Sequence, residues 1–189
     1  MHEIRCLILN FDESLVIAAV RTEKEFAEAL KSPVKTIFLL HADILTLKEQ
    51  ILQAKTVRKE VFVHIDMADG IGKDTKGAAF SAALGAAGII STRPALIKAA
   101  KEAGLLTVMR FFVIDSRSIG TAIENIKSSA PDMVEMMPGI LPEIIKEFNR
   151  NIGIPIIAGG LIKTKNEIYQ ALGAGAKAIS TGKQELWNS

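Results

Sequence analysis

The sequence predicts a compact (β/α)8 barrel of the TIM type with a truncated last helix, and three observations carry that prediction. The first is the stretch Ile154-Pro155-Ile156-Ile157-Ala158-Gly159-Gly160-Leu161-Ile162-Lys163, followed some twenty residues on by Ala176-Lys177-Ala178-Ile179-Ser180-Thr181-Gly182. Each half is an apolar run entering a glycine turn, the form of a buried parallel strand whose C-terminal turn lets backbone N–H groups approach a ligand. As a pair they match the phosphate cradle that such barrels carry after strands seven and eight. The second is that six strand and helix units precede them, with strand starts about 19 to 26 residues apart. The third is that the glycines come late. A doubly wound open sheet would place its glycine fingerprint after the first strand, where this chain has Val20-Arg21-Thr22.

The elements follow from local chemistry. Residues 2–14 form a short apolar segment ending in Asp12-Glu13-Ser14 and are expected to cap the barrel. The first strand is Val16 to Arg21, and Thr22 with Glu25 is a capping box opening a helix to Lys31. Strand two is Thr36 to His41, followed by a helix capped by Asp43 or Thr46. Strand three, Val61 to Asp66, enters the turn-rich loop Asp66 to Asp74, and a helix covers Thr75 to Leu84. Strand four is Ile89 to Thr92; Pro94 suits the first turn of a helix ending near Gly104. Strand five is Leu105 to Phe112 with a helix from Asp115-Ser116 to Ser128. Strand six is Asp132 to Met137 with a helix from Pro142 to Arg150. A helix from Asn166 to Leu172 joins the two glycine stretches. Only Lys183 to Ser189 remain for helix eight, which leaves the outer ring open for the N-terminal segment or another subunit.

Composition sets bounds. A chain of 189 residues with 49% apolar and 23% charged residues suits one globular domain spanning 1–189. Net charge is +2, so bulk electrostatics do not demand a nucleic-acid partner, although acids elsewhere can mask a local basic patch. Lys48, Lys55, Arg58, Lys59, Lys146 and Arg150 fall on predicted helices and read as solvated surface. The single cysteine, Cys6, excludes an intramolecular disulfide and reads as a small buried hydrophobe in a reducing compartment. With neither a signal-peptide pattern nor an apolar run of membrane-spanning length, a cytoplasmic protein is expected.

Every predicted strand carries a polar residue or glycine at or near its C-terminal end: Arg21, His41, Asp66, Thr92, Arg110, Glu135, Gly159 and Thr181. Those ends form the mouth, where barrels of this class keep ligand groups. If Asp66 points inward, strand alternation places His64 and Phe62 inward too, with Arg110 and Val108 on strand five and Glu135 and Met133 on strand six. Gly159, Gly160, Ser180, Thr181 and Gly182 offer backbone and hydroxyl donors to a phosphate, with Lys163 or Lys183 adding charge. The loop Asp66 to Asp74, with Asp69 and Lys73, suits the hydroxyls of a small polyol better than Mg²⁺ held with Glu135. A catalytic reading would make Asp66 or Glu135 a base and Lys73 an acid, but no nucleophile constellation supports it, and His41 and His64 fit hydrogen-bonded walls. No cofactor or metal site is expected.

Several blocks together resemble the glycerol uptake operon antiterminators, the glycerol-3-phosphate-responsive regulators that act on leader mRNA. They are His64-Ile65-Asp66, Asp69-Gly70-Ile71-Gly72-Lys73-Asp74, Arg110 to Phe112 with Asp115-Ser116, Glu135-Met136-Met137-Pro138-Gly139, Ile157 to Ile162, and Ile179-Ser180-Thr181-Gly182 with Trp187. The match runs from about Val16 to Trp187. The resemblance implies a barrel used as a sensor, with glycerol 3-phosphate where an enzyme would hold substrate. Its phosphate would lie on Gly159, Gly160, Ser180, Thr181 and Gly182, and its polyol end would face Asp66, Lys73, Arg110 and Glu135. The alternatives are an enzyme acting on a small phosphorylated metabolite, which rests on the fold alone, and a phosphate-binding barrel whose partner is a protein. The sequence does not choose between a monomer and a homo-oligomer.

Overall fold

A computed structural model describes residues 14–188, and these form a closed barrel of eight parallel strands in sequence order. The strands are β1 Val16–Val20, β2 Thr36–Leu39, β3 Glu60–His64, β4 Gly88–Ser91, β5 Leu106–Phe112, β6 Met133–Met137, β7 Ile156–Gly159 and β8 Ala178–Thr181. Seven α-helices alternate with them: α1 Glu23–Lys31, α2 Leu47–Thr56, α3 Thr75–Ala83, α4 Pro94–Glu102, α5 Ser116–Ser129, α6 Pro142–Asn151 and α7 Lys165–Gly173. The β1–β8 pairing, in which Ile17 lies opposite Ser180, closes the sheet. After β8 the expected stub of helix eight is a single 3-10 turn, Gln184–Leu186, with Leu186 and Trp187 buried. The segment expected to cap the barrel, together with Cys6, lies outside the described residues except for Ser14.

Strand ends differ from the sequence expectation in an instructive way. β2 stops at Leu39 and β3 at His64, so His41 and Asp66 sit in turns rather than on strands. Asp66 belongs to a 3-10 turn, Ile65–Met67, that bends the chain across the mouth towards β4. The helix starts are fixed by side-chain caps. Thr22, Asp74, Asp115 and Thr164 each accept a backbone N–H from the first helical turn. At α1 the reciprocal half of the expected capping box is displaced, because the Glu25 carboxylate accepts from the Arg21 N–H.

The barrel encloses Ile17, Phe38, Phe62, Ile90, Leu106, Val108, Met133, Ile157 and Ala178, while a larger cluster fills the layer between sheet and helices. Small residues make the interior fit. A Cβ on Gly88 would come within 2.3 Å of the Phe62 ring and 2.6 Å of the Leu106 carbonyl, so this glycine is where β4 admits the aromatic pair. Phe38 and Phe62 are fully buried with ring centroids 5.6 Å apart. Phe62→Ala is expected to destabilise the barrel by roughly 3–5 kcal/mol and Phe62→Leu by less than about 1.5 kcal/mol, read from urea unfolding midpoints.

Candidate functional site

The C-terminal ends of the strands hold a polar layer directly above the apolar interior. Arg110 on β5 donates through Nε to Glu135 Oε2 on β6 at 2.6 Å, and both side chains are buried. The other Glu135 oxygen accepts from Ser180 Oγ on β8 at 2.5 Å. This bond passes over β7, and it can do so because position 159 is glycine: a Cβ there would lie 2.5 Å from Glu135 Oε1. One carboxylate thus ties β5, β6 and β8 across a bare β7. The alternation expected on β3, β5 and β6 is observed, with Phe62, Val108 and Met133 in the interior and His64, Arg110 and Glu135 stacked above them.

Asp66 forms a second centre. Its carboxylate accepts from Ser91 Oγ, Thr92 Oγ1 and the Thr92 N–H, the last at 2.7 Å, and Arg93 Nε lies 3.6 Å away. His64 stands between the two centres, 3.8 Å from Asp66, with its buried ring beside the Leu40 backbone. Burial pushes its pKa below the ordinary histidine range, with the Arg110 charge adding to the effect and Asp66, Glu135 and a hydrogen bond with the Leu40 backbone opposing it.

The glycine turns after β7 and β8 form the opposite wall. Gly160 has φ +74°, and Leu161 also lies in the left-handed region, so the β7 turn is sharply curled. The Gly139 N–H donates to the Gly159 and Gly160 carbonyls, which holds the turn against the cis Met137-Pro138 segment. Thr181 Oγ1 donates to the Ile162 carbonyl at 3.0 Å, and Trp187 Nε1 donates to the Thr181 carbonyl at 2.8 Å. Thr181 therefore fastens one glycine turn to the other. A guanidinium nitrogen of Arg21 stands 3.3 Å from where a Cβ on Gly182 would be, which places this cation beside the β8 turn.

Other expected ligand residues point elsewhere. Lys73 turns back on its own loop, donating to the Ala68 and Ile71 carbonyls. His41 pairs with Asp69 at 3.0 Å on the exposed rim, and the Asp69 backbone bonds to Ala42 and Ile44. His41 and Asp69 knit the β2 and β3 loops together. Lys163 is exposed at the rim, and Lys183 lies 3.9 Å from Glu185. Among the described residues no group of three or more His, Cys, Asp or Glu side chains is placed to hold a metal ion.

Residues 16–187 match the family model of the glycerol-3-phosphate responsive antiterminators. The chain belongs to this family. A crystal structure of the glycerol uptake operon antiterminator regulatory protein from Listeria monocytogenes is 32% identical, with 95% of this chain and 97% of that one covered and a TM-score of 0.91. A glycerol uptake operon antiterminator-related protein from Thermotoga maritima is 34% identical, covering 92% and 98%, with a TM-score of 0.82. The Escherichia coli K12 protein YgcP is 31% identical over 173 residues, 91% of each chain. No helix among the described residues of this antiterminator family member is long and apolar enough to cross a membrane.

Sequence reasoning missed Ser91 and Arg93, whose only signal was their position at and just past the end of β4, and gave Ser180 a free hydroxyl that Glu135 occupies. For His64 the sign of the pH effect is definite. In the folded antiterminator the imidazole stays neutral below the pH at which the unfolded chain, near 6.5, takes up a proton. The unfolded state then binds more protons, so the His64 contribution is present above that pH and is lost as pH falls. Wild type is expected to lose more stability than His64→Gln between pH 7.5 and 5.5 in urea titrations. Equal losses would contradict the assignment.

Proposed function

We propose that this protein is a non-catalytic sensor that binds glycerol 3-phosphate in the barrel mouth and acts as an antiterminator on the leader mRNA of glycerol-uptake genes in the cytoplasm. The observation that carries the ligand half is the pair of glycine turns after β7 and β8, fastened by Thr181 and flanked by Arg21, opposite a wall of His64, Asp66, Arg110 and Glu135. A phosphate would take backbone N–H groups of Gly160 and Gly182 with charge from Arg21, Lys163 and Lys183. The Ser180 and Thr181 hydroxyls shape this wall rather than meet the anion, since each already donates to a protein oxygen. The polyol end would lie against His64, since a neutral imidazole offers one donor and one acceptor. Family membership supports the RNA half.

The enzyme reading is weaker on chemical grounds. Both mouth carboxylates are already hydrogen-bonded, Glu135 to Arg110 and Ser180 and Asp66 to Ser91 and Thr92, which leaves neither poised as a base. Lys73, the acid in that reading, faces its own loop. Incubation with glycerol 3-phosphate or a triose phosphate should give binding without product.

Gly182 is the position at which to test the phosphate. Its backbone lies outside the left-handed region, and a Cβ would meet only the Ala19 carbonyl and the Arg21 guanidinium at 3.3 Å, so an acidic side chain can fold in place. Glycerol 3-phosphate at about 100 times its Kd should raise the wild-type thermal midpoint by roughly 5–10 °C, glycerol should not, and Gly182→Asp should abolish the response. An equal response to both molecules would remove the phosphate from the account.

A further inference from the structure

At the start of β3 and the loop before β4, on the face opposite the mouth, a cavity of about 390 Å³ is lined by Lys55, Arg58, Lys59, Glu60 and Gly85, with apolar Ile51, Val61 and Ala87 beneath. The sequence had read Lys55, Arg58 and Lys59 as solvated helix surface. In the structure only Lys55 is on a helix; Arg58 and Lys59 occupy the short α2–β3 loop, where Arg58 takes φ +56°. Lys59 is buried and donates to the Ser32 and Val34 carbonyls, and the nearby Lys35 charge joins burial in lowering its pKa. Lys55 lies over Gly85, with its ammonium where a side chain at that position would be.

None of Lys35, Lys55, Arg58 and Lys59 forms a salt bridge with a carboxylate among the described residues. The one carboxyl lining the cavity, Glu60, has a buried Oε2 without a hydrogen-bond partner, and burial raises its pKa. The mouth is different: there Arg93, Arg110, Lys183 and His41 each lie within ion-pair distance of an acid. Like charges gathered without counter-charges repel one another, and a bound polyanion would relieve that repulsion.

We infer that this cavity is the RNA-binding site: it takes a single-stranded segment whose phosphates lie on Lys55 and Arg58, with one unstacked base entering beside Glu60. The cavity is larger than a base ring requires, the Arg58 guanidinium supplies a stacking plane where aromatic residues are scarce, and the unpartnered Glu60 oxygen can accept from a base amino group. An acidic peptide would satisfy the cations but would leave the Glu60 carboxyl facing its own charge. The inference rests on the antiterminator reading and adds the surface that reading lacks. β3 joins the two sites, since it begins at Glu60 in the cavity and ends at His64 in the mouth.

The test is binding of the leader transcript of this organism's glycerol-uptake genes, with glycerol 3-phosphate present, across a salt series. Lys55→Glu with Arg58→Glu should weaken binding by at least about tenfold and lower the salt slope by roughly 1.5 to 2. Thermal stabilisation by glycerol 3-phosphate should stay at the wild-type level, which shows that the variant is folded. Lys146→Glu with Arg150→Glu on α6 makes the same charge change elsewhere and should leave binding within about twofold of wild type. Wild-type affinity in the 55/58 variant, or an equal loss in the 146/150 variant, overturns the location. Failure of the wild-type protein to bind the transcript at any salt overturns the RNA reading itself.

Discussion

The bond from Ser180 to Glu135 across Gly159 is the constraint on which the mouth depends. Glu135 is fully buried, and an ionised carboxylate there is tolerable only because Arg110 and Ser180 satisfy both oxygens. Those two partners come from β5 and β8, so the carboxylate on β6 reaches a neighbouring strand on one side and across β7 on the other. This requires a strand with no side chain at that height, and it requires the β7 chain to turn away at once, which Gly160 does at φ +74°. The sharp β7 turn is therefore also what lets the charged layer close. Turn and floor are one piece of packing.

Much of the fold was legible in the sequence because barrel strands are short, buried on both sides and punctuated by glycine and proline. The eight apolar runs and the caps at Thr22 and Asp115 have local chemical causes. Strand ends were less legible. His41 and Asp66 were read as the last residues of strands, whereas β2 and β3 stop earlier and the chain turns. Nothing local distinguishes a final strand residue from the first residue of a tight turn when both are polar.

In the site, alternation along β3, β5 and β6 correctly gathered His64, Arg110 and Glu135, since a strand has only two faces. Long-range pairing was not legible. Ser180 lies 45 positions from Glu135, and Asp66 lies 25 from Ser91, so neither partnership leaves a mark in its own neighbourhood. Lys73 shows the reverse error: a cation in a polar loop looked available to a ligand, while two carbonyls of the same loop were closer. The basic cluster at residues 55–59 was hidden for a similar reason, because Lys35 joins it only when β2 and β3 lie side by side.

The arrangement as a whole puts a buried polar layer at one end of the barrel and positive charge without ion-pair partners at the other, with β3 reaching both. For the metabolite to influence RNA, it must bind one conformation of this barrel better than another. The most direct measurement of the central claim is a crystal structure with glycerol 3-phosphate. The account predicts the phosphate within hydrogen-bonding distance of the Gly160 and Gly182 backbone N–H groups and a glycerol hydroxyl on His64. A phosphate bound away from both glycine turns would contradict it.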